Sequence, residues 1–183
     1  MKRYSLKGNK IYFDEFFYLD LNKQTILDFN LRNRDELTQE EYFQLIKLRS
    51  ESMGYFLLSK RDYSEKELYL KLLSKYREKS IVRSVIDKFV ELGYIDDYDY
   101  AEHYISSHSY GRKKMEFMLI QKGVSREIID TIFFTSQREK DMEEIRRVWL
   151  KLGNKERDKK IASLLRKGFE YRDIKKVMNE LEN

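Results

Sequence analysis

One helical phrase occurs three times in this chain at nearly constant spacing. The copies begin at Leu72, Leu119 and Leu164, so successive copies start 47 and 45 residues apart. Each copy has two apolar residues followed two positions later by a lysine, and each is followed by a second apolar helical pattern. A period in this range is typical of stacked helical units that cannot bury their apolar faces alone. Such arrays present a long surface to a large partner, so the repeat predicts a binding protein.

The composition supports slender helices. Proline is absent, glycine occurs only seven times, and 38% of the residues are charged, which suits helices with one buried stripe and one solvated face. Cysteine is also absent, which excludes disulfides and cysteine-based zinc sites and fits a reducing compartment. No apolar run approaches the roughly 20 residues that span a bilayer, and no signal peptide is recognisable. We therefore expect a cytoplasmic, monomeric protein without membrane contact.

The predicted fold is mainly α, with tandem three-helix repeats that form an elongated curved array. A small β-hairpin or meander precedes the array in residues 1–37, with a turn at Gly8 and a short helix near Thr25. A capping-box pattern at Thr38 opens the first long helix. The predicted repeats are 38–95, 96–136 and 137–183, and their helices are 39–59, 64–76, 79–92, 97–109, 112–122, 125–135, 138–152, 155–167 and 170–182.

Few residues have the pattern of a catalytic or metal site. His103 and His108 are five apart, whereas two zinc ligands on one helix face are four apart. The densest acidic cluster is better explained as the capped start of a helix than as a cation site, because the spacing and glycine of an EF-hand are missing. Its members are Asp96, Asp97, Asp99 and Glu102. The sequence predicts no enzyme, no cofactor and no metal.

Fourteen tyrosines are many for this length, and they crowd the first two repeats. Such rings can stack on nucleic-acid bases or anchor an interface. They more often pack the ring and leave the hydroxyl in water, and the sequence favours this second interpretation. The tyrosines concerned are Tyr63, Tyr69, Tyr94, Tyr98, Tyr100, Tyr104 and Tyr110.

Basic residues in the last two repeats are the candidate partner-binding residues. The net charge is +5, which allows contact with nucleic acid or with an acidic protein surface. Helical periodicity places these residues in outward rows beside buried stripes, although an ordinary solvated helix face is the alternative. The nine candidates are Arg112, Lys113, Lys114, Lys159, Lys160, Arg166, Lys167, Lys175 and Lys176.

The order and spacing of four stretches carry a resemblance to a known family. They are Tyr63-Ser64-x-x-Glu67-Leu68, then Gly93-Tyr94-Ile95-Asp96-Asp97 with Tyr100-Ala101, then Gly111 leading to Leu119-x-x-Lys122-Gly123-Val124, and finally Leu165-Arg166-Lys167-Gly168-Phe169. Over about residues 55–183 the chain resembles the bacterial RecX family of RecA regulators. One departure is Tyr76, which stands where the later repeats have glycine.

The resemblance implies a non-enzymatic regulator of homologous recombination. Members of the family bind the RecA recombinase filament on DNA, limit its growth and depress its ATPase and strand exchange. The expected partner is therefore the RecA filament, and direct non-specific DNA contact remains open. The alternative is a transcription regulator that binds DNA through helix-turn-helix-like units. No helix offers the Arg-, Asn- and Gln-rich face that reading base edges requires, which counts against this alternative.

Overall fold

A computed structural model describes residues 1–182 of the chain, without the side chains of residues 135–139 and 182. The described part is mainly α-helical with short antiparallel strands near its N-terminus, as predicted. The strands are β1 (Lys2–Arg3), β2 (Ser5–Lys7), β3 (Lys10–Tyr12), β4 (Tyr18–Asp20) and β5 (Glu36–Leu37). The helices are α1 (Lys23–Asp28), α2 (Gln39–Leu58), α3 (Glu65–Tyr76), α4 (Lys79–Glu91), α5 (Asp97–Ser107), α6 (Arg112–Lys122), α7 (Arg126–Lys151), α8 (Arg157–Arg166) and α9 (Tyr171–Glu182).

The predicted meander is confirmed as the antiparallel sheet β2-β3-β4. Gly8 makes the first turn with a φ of +61°, in the left-handed region that glycine tolerates best. A second pair, β1 with β5, joins Lys2 to Leu37 and was not predicted. Two-residue strands leave no alternation that a sequence pattern could detect.

Several helices are preceded by a residue whose side chain accepts a hydrogen bond from a backbone N–H group of the first turn. The capping box of α2 is present in full, because Thr38 accepts a hydrogen bond from the Glu41 backbone N–H while the Glu41 carboxylate accepts one from Thr38. Ser125 caps α7 by accepting from the Ile128 backbone N–H. Both features satisfy donors that a helix start otherwise leaves exposed.

Helix α7 is longer than expected. The sequence predicted two helices, 125–135 and 138–152, where the structure has one continuous helix, Arg126–Lys151. No glycine or proline lies between Val124 and Leu152, so nothing in the sequence enforces a break. The predicted boundary between the second and third repeats, at 136–137, therefore falls inside this helix.

The chain divides into two compact units. Unit 1 comprises residues 1–62 and 68–94, and unit 2 comprises residues 63–67 and 95 onward. In unit 1, Ile11 and Leu19 of the sheet, and Leu45, Leu72 and Phe89 of the helices, are almost fully buried.

Unit 2 has two apolar clusters. The first contains Ala101, Leu119 and Ile129, from α5, α6 and the start of α7. The second contains Trp149 and Ile174 and is built by the end of α7 with α8 and α9. Across the described part of the chain, no helix combines the length and apolar character needed to cross a membrane.

Candidate partner-binding surface

The nine basic candidates all lie in unit 2, on or next to α6, α8 and α9. The structure divides them by burial. Lys114, Lys160 and Lys167 are half-buried, whereas the other six are exposed. The prediction that all nine lie outward is therefore only partly met, and each group has a physical reason for its position.

The half-buried lysines lie against aromatic rings. The Lys114 ammonium is 3.9 Å from the centre of the Tyr110 ring, and the Lys167 ammonium is 5.7 Å from the same centre. Lys160 lies 4.9 Å from the Trp149 ring centre. Attraction between a cation and the face of a ring offsets part of the lost hydration of each ammonium group. These three lysines therefore stabilise the fold and are poorly placed for a partner.

The first turn of α6 carries Arg112 and Lys113, although positive charge is disfavoured at a helix N-terminus. Acidic side chains compensate for both. Arg112 Nε donates to Glu116 over 2.6 Å, and the Lys113 ammonium is 3.7 Å from a Glu170 carboxylate oxygen. The Arg112 guanidinium also lies 5.1 Å from the centre of the Phe133 ring. Part of the charge of this turn is thus neutralised within the unit.

Lys159 and Arg166 line a cleft of about 720 Å³ beside α8. Lys159 forms an ion pair with Glu156 at 2.9 Å, but the two side chains are 71% and 75% exposed, so water weakens this pair. Lys155 lines the same cleft and was not among the candidates. Lys155 lies before α8, which begins at Arg157, so the helical spacing that relates Lys159 to Arg166 does not extend to it.

Lys175 and Lys176 are exposed on α9. The neighbouring Ile174 and Val177 are fully buried, as the predicted inward stripe requires. Among the described residues, neither lysine has a hydrogen bond or an ion pair. From the exposed basic side chains of α8, α9 and the turn before α8 we select five, and we call them the exposed basic set: Lys155, Lys159, Arg166, Lys175 and Lys176.

Four aromatic side chains of the second repeat form a stacked column. Ring centres are 6.1 Å apart between Tyr100 and Tyr104, 4.1 Å between Tyr104 and His108, and 5.7 Å between His108 and Tyr110. Burial also raises the pKa of Tyr100 to about 12. Because neighbouring rings cover these faces, the column stabilises the fold and offers little stacking surface to a base.

The acidic cluster begins α5, and one of its members has the capping role that the sequence favoured. Asp96 caps α5 by accepting hydrogen bonds from the backbone N–H groups of Tyr98 and Asp99. Asp97 accepts from the Glu65 backbone N–H over 2.8 Å, and burial raises the pKa of its carboxyl group. Among the described residues, no group of three histidine or acidic side chains is placed to hold a metal ion.

The recurring Lys-Gly pair of the helical phrase forms two similar contacts, which the sequence did not reveal. In the first joint, formed by residues 64–67 with 122–123, the Ser64 hydroxyl donates to the Lys122 carbonyl. The Lys122 ammonium donates to the Glu67 carboxylate over 2.9 Å, and the Tyr100 hydroxyl donates to the same carboxylate over 3.0 Å. These bonds fix the start of α3 against the end of α6.

The second joint, formed by residues 109–114 with 167–168, repeats this arrangement. The Gly111 backbone N–H donates to the Lys167 carbonyl over 2.9 Å, and the Lys167 ammonium donates to the Ser109 carbonyl over 3.3 Å. Gly168 has a φ of +88° and lies directly against Lys114. Helices α3, α6 and α8 are the middle helices of the three repeats. In both joints the start of one middle helix rests on the Lys-Gly end of the next, so much of the shared motif is structural.

Comparisons with known proteins agree with this architecture. A family model described as "RecX, second three-helix domain" matches residues 96–131. The regulatory protein RecX of Chlorobium limicola is 34% identical over 73% of this chain and 91% of its own length. The regulatory protein RecX of Clostridium tetani is 28% identical over 96% of this chain and 88% of its own length.

Solved structures show the same fold. The crystal structure of RecX from Lactobacillus salivarius superposes with a TM-score of 0.67 at 25% identity, covering 75% of this chain and 97% of that one. A second crystal structure, of a regulatory protein RecX, has a TM-score of 0.62 at 19% identity and covers 98% of this chain. On this evidence from sequence and structure, the chain belongs to the RecX family of regulatory proteins.

Proposed function

We propose that the protein binds the RecA recombinase filament on DNA and inhibits the growth, the ATPase and the strand exchange of that filament. Membership of the RecX family supports this proposal, as does the regulatory role named for its relatives. The observation that carries it is the exposed basic set, which stays in solvent after the helices have buried their apolar faces. The protein is a cytoplasmic regulator without a catalytic role.

The exposed basic set is suited to electrostatic docking. A RecA filament carries nucleic acid, whose phosphates attract lysine and arginine and release counterions when these side chains bind. Contacts of this kind are individually weak, but several on one rigid body add up through the high effective concentration that the first contact creates. We assign this role to Lys159, Arg166, Lys175 and Lys176, with Lys155 as an added member. Arg112 and Lys113, which are partly neutralised, contribute less.

Co-sedimentation with preformed RecA filaments on single-stranded DNA tests the assignment. Changing Lys159, Arg166, Lys175 and Lys176 together to glutamate reverses the charge at four exposed positions. We expect filament binding to weaken at least tenfold at about 0.1 M salt. At this salt concentration charges more than about 10 Å apart are largely screened, so the loss reports on contacts close to the reversed side chains. The helical circular dichroism spectrum should not change, because none of the four side chains is buried.

A matched control reverses four exposed lysines of unit 1, namely Lys23, Lys47, Lys71 and Lys79. This control has a similar net charge but keeps the exposed basic set, so it should bind filaments like the unchanged protein. Equal weakening in both variants would show that only net charge matters and would contradict the assignment. Gel shifts that show one tightly preferred DNA sequence at moderate salt would instead support a sequence-specific DNA regulator.

A further inference from the structure

Arg77 follows the end of α3 with a backbone φ of +64°. This left-handed conformation is unfavourable for a residue with a Cβ, and helices usually place glycine there. The ends of α6 and α8 do so, with Gly123 at a φ of +94° and Gly168 at +88°. A strained residue persists only where surrounding contacts hold it, so the contacts of the Arg77 side chain need an explanation.

Among the described residues, the Arg77 side chain makes its polar contacts with the β3–β4 loop, residues 13–17. Its Nη1 donates to the Asp14 carboxylate over 3.3 Å, and its Nη2 donates to the Phe16 carbonyl over 3.1 Å. The guanidinium also lies 4.9 Å from the centre of the Phe17 ring. One side chain thus binds a carboxylate, a backbone carbonyl and an aromatic face of the same loop.

Neighbouring contacts extend this attachment. The Phe13 ring of the same loop packs edge-on against Tyr42 with ring centres 4.9 Å apart. The Tyr42 hydroxyl donates to Glu78, the residue after Arg77, over 2.8 Å. Phe17 is only 5% exposed, so the loop covers apolar surface as well as the helix end.

The two joints of unit 2 show what normally covers the end of a middle helix. Gly123, at the end of α6, lies against Lys66, and Gly168, after α8, lies against Lys114. Both lysines belong to the first turn of the preceding middle helix. The segment before the first repeat is β-rich and is not another helical repeat, and its β3–β4 loop lies over the end of α3.

We propose that the N-terminal β-rich segment is the terminal cap of the helical repeats, fastened by Arg77. Repeat arrays require end modules, because a terminal repeat otherwise exposes the surface that its neighbours use for stacking. The β3–β4 loop closes this surface on α3. Arg77, one residue beyond Tyr76, takes the left-handed conformation that glycine takes after the later helices, because its side chain supplies the fastening. The cap therefore protects the first repeat from opening at its N-terminal side.

Hydrogen exchange of the full-length Arg77→Gly variant tests the cap. Glycine relieves the strain at a positive φ. If the Arg77 side chain had no fastening role, this change would therefore raise the stability of the protein. The cap predicts the opposite sign: a lower melting temperature and at least tenfold faster exchange at residues 10–20 and 73–78. The exchange rates of α8 and α9 should stay unchanged.

Two further variants complete the experiment. Asn30 is the other non-glycine residue with a positive φ among the described residues, at +48°, and Asn30→Gly should leave exchange at residues 10–20 unchanged. Asp14→Ala, at an exposed site, removes the partner of Arg77 and also the acceptor of the Phe16 backbone N–H, so it should speed exchange at residues 10–20, and its effect should be less than additive with that of Arg77→Gly. A higher melting temperature for Arg77→Gly with unaltered exchange would overturn the proposal, whatever the effect on RecA.

Discussion

The second joint can be tested by adding a single methyl group at Gly111. A Cβ at this position would lie 2.5 Å from the carbonyl carbon and oxygen of Gly168 and from the Phe169 backbone nitrogen. Backbone atoms cannot rotate away as a flexible side chain can. The Gly111→Ala change must therefore separate the start of α6 from the end of α8.

The expected magnitude follows from two destabilising effects and one stabilising effect. Overpacking of this kind destabilises by about 1–3 kcal/mol. Lengthening the 2.9 Å hydrogen bond from the Gly111 N–H to the Lys167 carbonyl removes roughly another 1 kcal/mol. Gly111 has an ordinary φ of −71°, so alanine also restricts the unfolded chain, which returns about 0.4–1 kcal/mol. The free energy of unfolding should therefore fall by about 1–3.6 kcal/mol.

Urea denaturation followed by tryptophan fluorescence measures this loss. Trp149 is the single tryptophan and lies in the second apolar cluster of unit 2, close to the joint. Gly153→Ala serves as the control, because its φ is +53° and no atom lies within 4 Å of the added carbon. That control tests backbone strain alone, at about 1–2 kcal/mol. Unchanged or increased stability of Gly111→Ala would refute the close packing of the joint.

Two other predictions concern charged groups. Lys122→Met removes the ammonium group that lies 2.9 Å from the Glu67 carboxylate, and both side chains are only 24% exposed. The urea midpoint of unit 2 should therefore fall by an amount equivalent to about 1–3 kcal/mol. An unchanged midpoint would show that the first joint does not depend on this pair. The hydrogen bond from Arg34 holds the pKa of the Glu41 carboxyl group below its usual value. The ionised Glu41 carboxylate therefore stabilises the fold fully above its unfolded pKa of about 4.3, and this stabilisation is lost as the pH falls through the folded pKa. Glu41→Gln should flatten the acid side of the stability profile measured by circular dichroism, and an identical profile would contradict the shift.

Local signals were sufficient to predict most of the helices. The ends of α2 and α6 lie within a residue of the predicted ends, because capping at Thr38 and the glycine at position 123 act on their own helix. The prediction missed the continuity of α7 because it placed a helix break at the expected boundary between two repeats. No residue at that boundary stops a helix.

The candidate surface was predictable only in part. Periodicity placed Lys175 and Lys176 correctly on the outer face of α9. It could not show that Lys160 and Lys167 turn toward aromatic rings, because Trp149 and Tyr110 come from other helices or loops. The role of Arg77 was also hidden, since its partners lie about sixty residues earlier in the chain.

ATP hydrolysis by preformed RecA filaments on single-stranded DNA, measured while the purified protein is added, tests the proposed regulation most directly. The proposed function predicts that hydrolysis declines with added protein, and that the quadruple glutamate variant needs at least tenfold more protein for the same decline. Decline far below one protein per RecA subunit would indicate blocked filament growth, and decline only near saturation would indicate binding along the filament. Hydrolysis that stays constant at saturating protein would contradict the proposed function.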